Sequence, residues 1–263
     1  MGAATIEHPK TRSSVRQADN HGPAPIYVVC SPTRQVGKTL LARLLTDYCV
    51  ASRRPVNAFD LADESPQLND YAPDHSKVVD IGDIRSQVRL FDSLVATKDV
   101  TKIIDVDRRQ FGNFFIIAHK IQLFEEARRQ GIEPVLLFLI DPNPKAAKAY
   151  ATLHDWFPEV TLLPVRNQLV ARGVPRGGDF PHMSRLSVCL EIPLLRPALQ
   201  AAIDNEGFSF VDLGKGSPHG LSGQYQDELQ LWFRRVRVQL QALELSLLFE
   251  RVLTELGVRQ EGM

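Results

Sequence analysis

The chain has 263 residues, 44% hydrophobic and 24% charged, and its 31 basic side chains balance its 31 acidic ones. That composition suits a globular protein with a sizeable core, and zero net charge gives no whole-chain attraction to nucleic acid or anionic membrane. No apolar run approaches the roughly 18 residues a membrane span needs, the N-terminus lacks the apolar core of a secretory signal, and Cys30, Cys49 and Cys189 have no metal-type spacing, so a reduced, cytoplasmic protein is expected.

Residues 1–23 are polar and mixed in charge, with Pro9, Gly22 and Pro23, and read as a disordered tail ahead of a single domain over 24–258. A first strand is expected over about 25–31. It leads through Ser31-Pro32-Thr33-Arg34-Gln35-Val36-Gly37-Lys38-Thr39 into a helix over about 38–52, where Leu40, Leu41, Leu44, Leu45 and Tyr48 recur at helical spacing. A strand, a tight polar loop and a helix opening on Gly-Lys-Thr is the layout of a phosphate-binding P-loop. Backbone N–H groups and the positive helix end face an anion there, the Lys reaches the outer phosphates, and the Thr hydroxyl ligates Mg²⁺. The expected nucleotide-lining residues are Thr33, Arg34, Gln35, Val36, Gly37, Lys38, Thr39 and Leu40. The pattern wants Gly where this chain has Pro32, which stiffens the loop and removes one N–H.

Val56–Asp60 reads as a second strand, closed by an acidic cluster that includes Asp60 and Asp63. Ligands of open parallel sheets sit at the carboxyl ends of strands, so an acid there is well placed near a nucleotide; a helix cap in a polar turn is the plainer reading. Lys77–Asp83 is a further candidate strand, followed by a helix over about 85–97. Thr101–Asp107 is a β-branched run closed by an acid, the pattern of a Walker B carboxylate that holds Mg²⁺ or a water on it. Asp105 is preferred over Asp80 for that role, because its run leads directly into a helix over about 112–130 and another strand. Pro134–Asp141 is continuously apolar up to its closing acid, as in a strand buried on both faces of a parallel sheet. A helix over 144–156 and a strand over 160–167 follow. The loop 169–183 is rich in Gly, Arg and Pro; the basic residues Arg172, Arg176 and Arg185 cover a nucleotide, meet a partner or stay solvated. A short strand over 187–193, a helix over 195–205 and a long helix over 224–256 close the chain. Leu229, Phe233, Val236, Leu240, Leu243 and Leu247 form one stripe on that last helix, broadened by Leu245, Leu248, Phe249, Val252, Leu253 and Leu256. It packs on its own domain or on a partner.

Strands alternating with helices from a P-loop onward give a doubly wound α/β fold: a mostly parallel sheet with helices on both faces, plus the C-terminal helix. Within that class the chain resembles the ParA/MinD/dethiobiotin-synthetase branch of P-loop NTPases, the deviant Walker A group of the SIMIBI class, and in particular small ParA-like ATPases of alphaproteobacteria. The residues that carry the resemblance are Val36-Gly37-Lys38-Thr39, the Asp60…Asp63 cluster, Ile103-Ile104-Asp105 and Asn167. The resemblance implies ATP and Mg²⁺ as ligands and a homodimer as one working form. It assigns Lys38 to the phosphates, Thr39, Asp60 and Asp105 to the metal, Asp60 or Asp63 to the attacking water, and Asn167 to the base. The family's first loop Lys is replaced by Thr33-Arg34-Gln35, so Arg34 is the residue left to reach a phosphate, in its own subunit or across a dimer. No Asn-Lys-x-Asp guanine motif appears, which favours adenine. Three functions follow as expectations: an Mg-dependent ATPase switch, an ATP-dependent ligase or kinase of the dethiobiotin-synthetase kind, and a nucleotide-binding interaction protein without turnover.

Overall fold

The computed structural model describes residues 24–61, 68–172, 174, 180, 190–205, 208–214 and 221–256. The expected tail 1–23 and the residues Asp63, Arg176, Arg185 and Cys189 lie outside the described residues. In chain order the elements are β1 (Ile26–Cys30), α1 (Lys38–Ala51), β2 (Val56–Asp60), α2 (Leu68–Tyr71), β3 (Ser76–Val78), α3 (Ile84–Val95), β4 (Thr101–Asp105), α4 (Phe111–Lys120), α5 (Leu123–Arg129), β5 (Pro134–Leu139), α6 (Pro144–Trp156), β6 (Thr161–Asn167), β7 (Leu190–Ile192), α7 (Pro197–Ile203) and α8 (Gly223–Glu255).

Seven strands make one sheet in the order β3-β2-β4-β1-β5-β6-β7, and every neighbouring pair is parallel. Side chains alternate across a strand, and β1 shows what that does here. Ile26, Val28 and Cys30 enter an apolar layer shared with α3, α4, α5 and α6, while Tyr27 and Val29 enter a second layer shared with α1, α7 and α8. Helices on both faces explain why β1, β4 and β5 are buried throughout.

The expected helix over 112–130 is two helices. Phe114, Phe115 and Ala118 face the sheet, and a straight continuation would bury positions 121, 122 and 125. The apolar residues sit instead at Leu123, Phe124 and Ala127, and Ile121 is left exposed. Gln122 takes a left-handed φ of 53° and re-phases the chain. The candidate strand over 77–83 is likewise shorter: Asp80 accepts the Gly82 N–H at 2.7 Å, and Asp83 caps α3 through the Ser86 N–H at 3.0 Å.

Helix α8 covers the β7 edge of the sheet. The Gln239 amide accepts the Glu191 N–H (2.7 Å) and donates to the Glu191 carbonyl (2.9 Å), so one side chain fills the place of a neighbouring strand. Glu244 ties α8 to α1, accepting from the Tyr48 hydroxyl (2.6 Å) and Arg54 (2.5 Å). Leu229, Phe233, Val236, Leu240 and Leu243 are buried as expected, but Leu245, Leu248, Phe249, Val252 and Leu256 are exposed. Among the described residues, no helix is long and apolar enough to cross a membrane.

Candidate functional site

The site grows from the order of the strands. The helix after β1 lies on one face of the sheet and the helices after β4 lie on the other. Between β1 and β4 the winding reverses, and the crevice at such a reversal is where open α/β sheets bind ligands. The loop 31–37 leaves β1 at that point, and Asp105 ends β4 beside it, paired in register with Val29. Asp60 ends β2 in register with Asp105, so both carboxylates stand in one row.

Backbone strain shapes the loop. Gln35 has φ 57° and Gly37 φ 98°, both in the left-handed region. Gly37 has a second constraint: a Cβ there would meet Asn167 Nδ2 at 2.5 Å. That amide donates to the Val36 carbonyl at 3.0 Å, and its oxygen accepts the Leu169 N–H at 3.1 Å. Asn167, expected to contact a base, is seen to brace the loop from the end of β6. Thr33 donates its N–H to the Ser31 hydroxyl at 3.3 Å. Lys38 is buried, and its ammonium folds back on the Thr33 carbonyl at 2.9 Å. Burial lowers its pKa, and the carboxylates of Asp105 and Asp107 pull it back up. The resulting loop is a ring of backbone closed by its own lysine, a form in which the cation is held ready for an anion.

Asp105 is almost fully enclosed. Burial raises its pKa to about 7, with Asp60 also pushing it up, while a hydrogen bond from Thr39 and the charge of Lys38 oppose the rise. Its Oδ1 is buried and has no hydrogen-bond partner. A buried carboxylate oxygen without a donor costs free energy, and a hard cation is one partner that removes the cost. The donors present, the Thr39 hydroxyl and the Asp105 and Asp60 carboxylates, are the oxygen set that Mg²⁺ takes. Among the described residues no group of three or more His, Cys, Asp or Glu side chains forms a metal cage. Asp60 is buried as well and accepts the Asn69 N–H at 3.1 Å. Asp80 is exposed, at the β3 end of the sheet.

A cleft of about 570 Å³ opens over the loop and Asp105; Asp60 does not line it. Arg34, Gln35, Gly37, Lys38, Thr39, Leu40, Asp105 and Asn167 line it; Thr33 and Val36 take part through their carbonyls. Four parts of its wall were not legible as site residues. Asp107, Arg108 and Arg109 follow β4, and their place after a strand's carboxyl end was the available signal. Arg43 lies one turn beyond Thr39 on α1, with its guanidinium 3.7 Å from the Tyr71 ring centroid and donating to the Ile203 and Phe208 carbonyls. Tyr71, Gln200 and Asp204 close that end, and Leu169, Pro193, Leu194 and Trp232 form an apolar rim. Tyr71, Gln200 and Trp232 come from α2, α7 and α8, and Leu169, Pro193 and Leu194 from the segments after β6 and β7; they are far apart in sequence, and no local pattern marks them.

No protein-family model and no curated protein matches the chain. Among the solved structures that resemble it are two at low identity. One is the signal recognition particle receptor FtsY from Elizabethkingia anophelis, with 16% identity, a TM-score of 0.43, and coverage of 82% of this chain and 68% of that one. The other is the MinC:MinD cell division protein complex of Aquifex aeolicus, with 13% identity, a TM-score of 0.42, and coverage of 81% and 96%. Likeness at this level says nothing of what the cleft binds.

Proposed function

We propose that the protein binds Mg·ATP in this cleft and uses the bound or hydrolysed state as a switch, in the manner of ParA/MinD-like ATPases. The observation that supports it most is the pairing of a lysine-closed loop, 31–38, with a buried, half-unsatisfied Asp105 held by Thr39. In this reading the backbone of residues 33–39 and Lys38 hold the phosphates, Thr39, Asp105 and Asp60 orient Mg²⁺, and Asp60 or Asp63 orients the attacking water. Mg²⁺ supplies charge neutralisation of the phosphates; the chain's own part is positioning and electrostatic stabilisation. Arg34, exposed at the cleft mouth, is the side chain free to reach a phosphate across a nucleotide-bridged dimer. Asn167 has one amide proton beyond its bond to Val36 to offer a base, and the apolar rim at Leu169 and Leu194 suits a base's face.

A specific observation favours a second reading, a ligase or kinase with a small co-substrate. The cleft runs past the loop to Arg43, Tyr71, Gln200 and Asp204, which leaves room beyond a nucleotide. Phosphate release from Mg·ATP by the purified chain separates the two. The switch reading expects turnover without any additive, abolished in Lys38→Ala. Turnover that begins only when a small carboxylate or amine is supplied supports the transferase and overturns the switch.

A further inference from the structure

Helix α8 has a second apolar row, and its spacing identifies what covers it. Leu231, Val238, Leu245 and Val252 follow one another at strict seven-residue intervals, and Ala242, Phe249 and Leu256 repeat the interval four residues on from the last three, Arg235 standing four on from Leu231. All seven apolar residues are exposed; the large ones are 42% to 70% accessible. The buried row lies on the other side, Leu240 falling about 180° round from Leu231 at 100° per residue. A sustained seven-residue repeat of two alternating positions is the seam of a helix pair; a membrane surface asks for a broader apolar sector with basic flanks.

We propose that this seam pairs with the same seam of a second copy of the chain, antiparallel, about a two-fold axis near Ala242 and Leu245. Antiparallel alignment sets Leu256 opposite Leu231, Phe249 opposite Val238, Ala242 opposite Leu245, and Arg235 opposite Val252. Large faces small in the two central layers, as native packing density requires. Arg235 falls in the layer next to the end of the seam, where its guanidinium reaches water along its own stem. Parallel alignment would set Phe249 against Phe249, Ala242 against Ala242 and Arg235 against Arg235: one layer overfilled, one hollow and one repulsive. The seam is roughly 38 Å long at 1.5 Å per residue. Specific pairs bury roughly 800 Å² per partner, and the exposed apolar side chains of one copy supply area of that order. The buried rows face outward from the pair, so the two bodies do not collide. This pairing needs no nucleotide, which separates it from any dimer bridged through Arg34.

Sedimentation equilibrium of the full chain without nucleotide, at tens of micromolar, tests it. The wild type is expected at dimer mass and Leu245→Glu at monomer mass with an unchanged helical circular-dichroism signal. Oxidising a mixture of Leu231→Cys and Leu256→Cys chains is expected to link one to the other, while either alone stays unlinked. A monomeric wild type overturns the proposal, and so does a Leu245→Glu chain that remains dimeric. Self-linking of Leu231→Cys overturns the antiparallel register. A monomer that binds anionic vesicles, and loses that binding in Leu245→Glu, assigns the seam to a membrane surface instead.

Discussion

Asp105 carries a cost that its chemistry explains. Its folded pKa of about 7 stands above the unfolded carboxylate value of about 3.9, so the folded chain keeps this proton through a range where the unfolded chain has lost it. Stability from this group is therefore full below about pH 4 and falls as pH rises to about 7. Asp105→Asn removes the penalty: at pH 8 its melting temperature should exceed the wild type's by several degrees, on the order of 2 kcal/mol, and at pH 5 the gain should be smaller, as thermal melts at both values will show. The same proton competes with a cation, so Mg·ATP affinity should rise from about pH 6 to about pH 8, and a flat profile would contradict the carboxylate's part in it. Gly37 makes a matching case for shape. Gly37→Ala sets a Cβ against Asn167 in a left-handed backbone, and should cost about 1–3 kcal/mol by denaturant melts and abolish nucleotide binding. Both residues were legible in the sequence as a P-loop glycine and a strand-end acid. The brace from Asn167 was not, because it joins positions 131 residues apart.

At the scale of elements, boundaries followed wherever local chemistry is decisive. Pro144 at the start of α6, with Asn143 capping the Lys145 N–H, and the β-branched run of β4 are examples. The break between α4 and α5 was missed because Gln122 carries no signal for a left-handed turn; only the phase of Leu123 and Phe124 against the sheet imposes it. The tie between α1 and α8 was also invisible, since Glu244 reads as one acid among many on a long helix. Its carboxylate holds Tyr48 and Arg54, both less than half exposed. Glu244→Ala leaves that guanidinium without its partner and should destabilise the chain by about 1–3 kcal/mol in urea titrations; Glu244→Gln, which keeps the hydroxyl's acceptor, should cost less.

Across the whole molecule, one sheet serves two ends. Its carboxyl edge gathers the loop, Asp105 and Asn167 into a cleft, with Asp60 buried beside Asp105 in the next strand, and α8 forms part of that cleft's wall through Trp232, whose indole donates to the Pro193 carbonyl at 2.9 Å. The same helix carries the exposed row of Leu231, Val238, Leu245 and Val252. Sequence patterns revealed the parallel sheet and the loop because both are written in contiguous residues; the far wall of the cleft is assembled from four separate segments and was not. Isothermal titration of Mg·ATP into wild type and Lys38→Ala tests the central claim most directly. The account predicts saturable, Mg²⁺-dependent heat in the wild type and an affinity lower by roughly a hundredfold in the variant, about 3 kcal/mol for a lost charged contact to phosphate. No binding by the wild type, or equal binding by both, would contradict it.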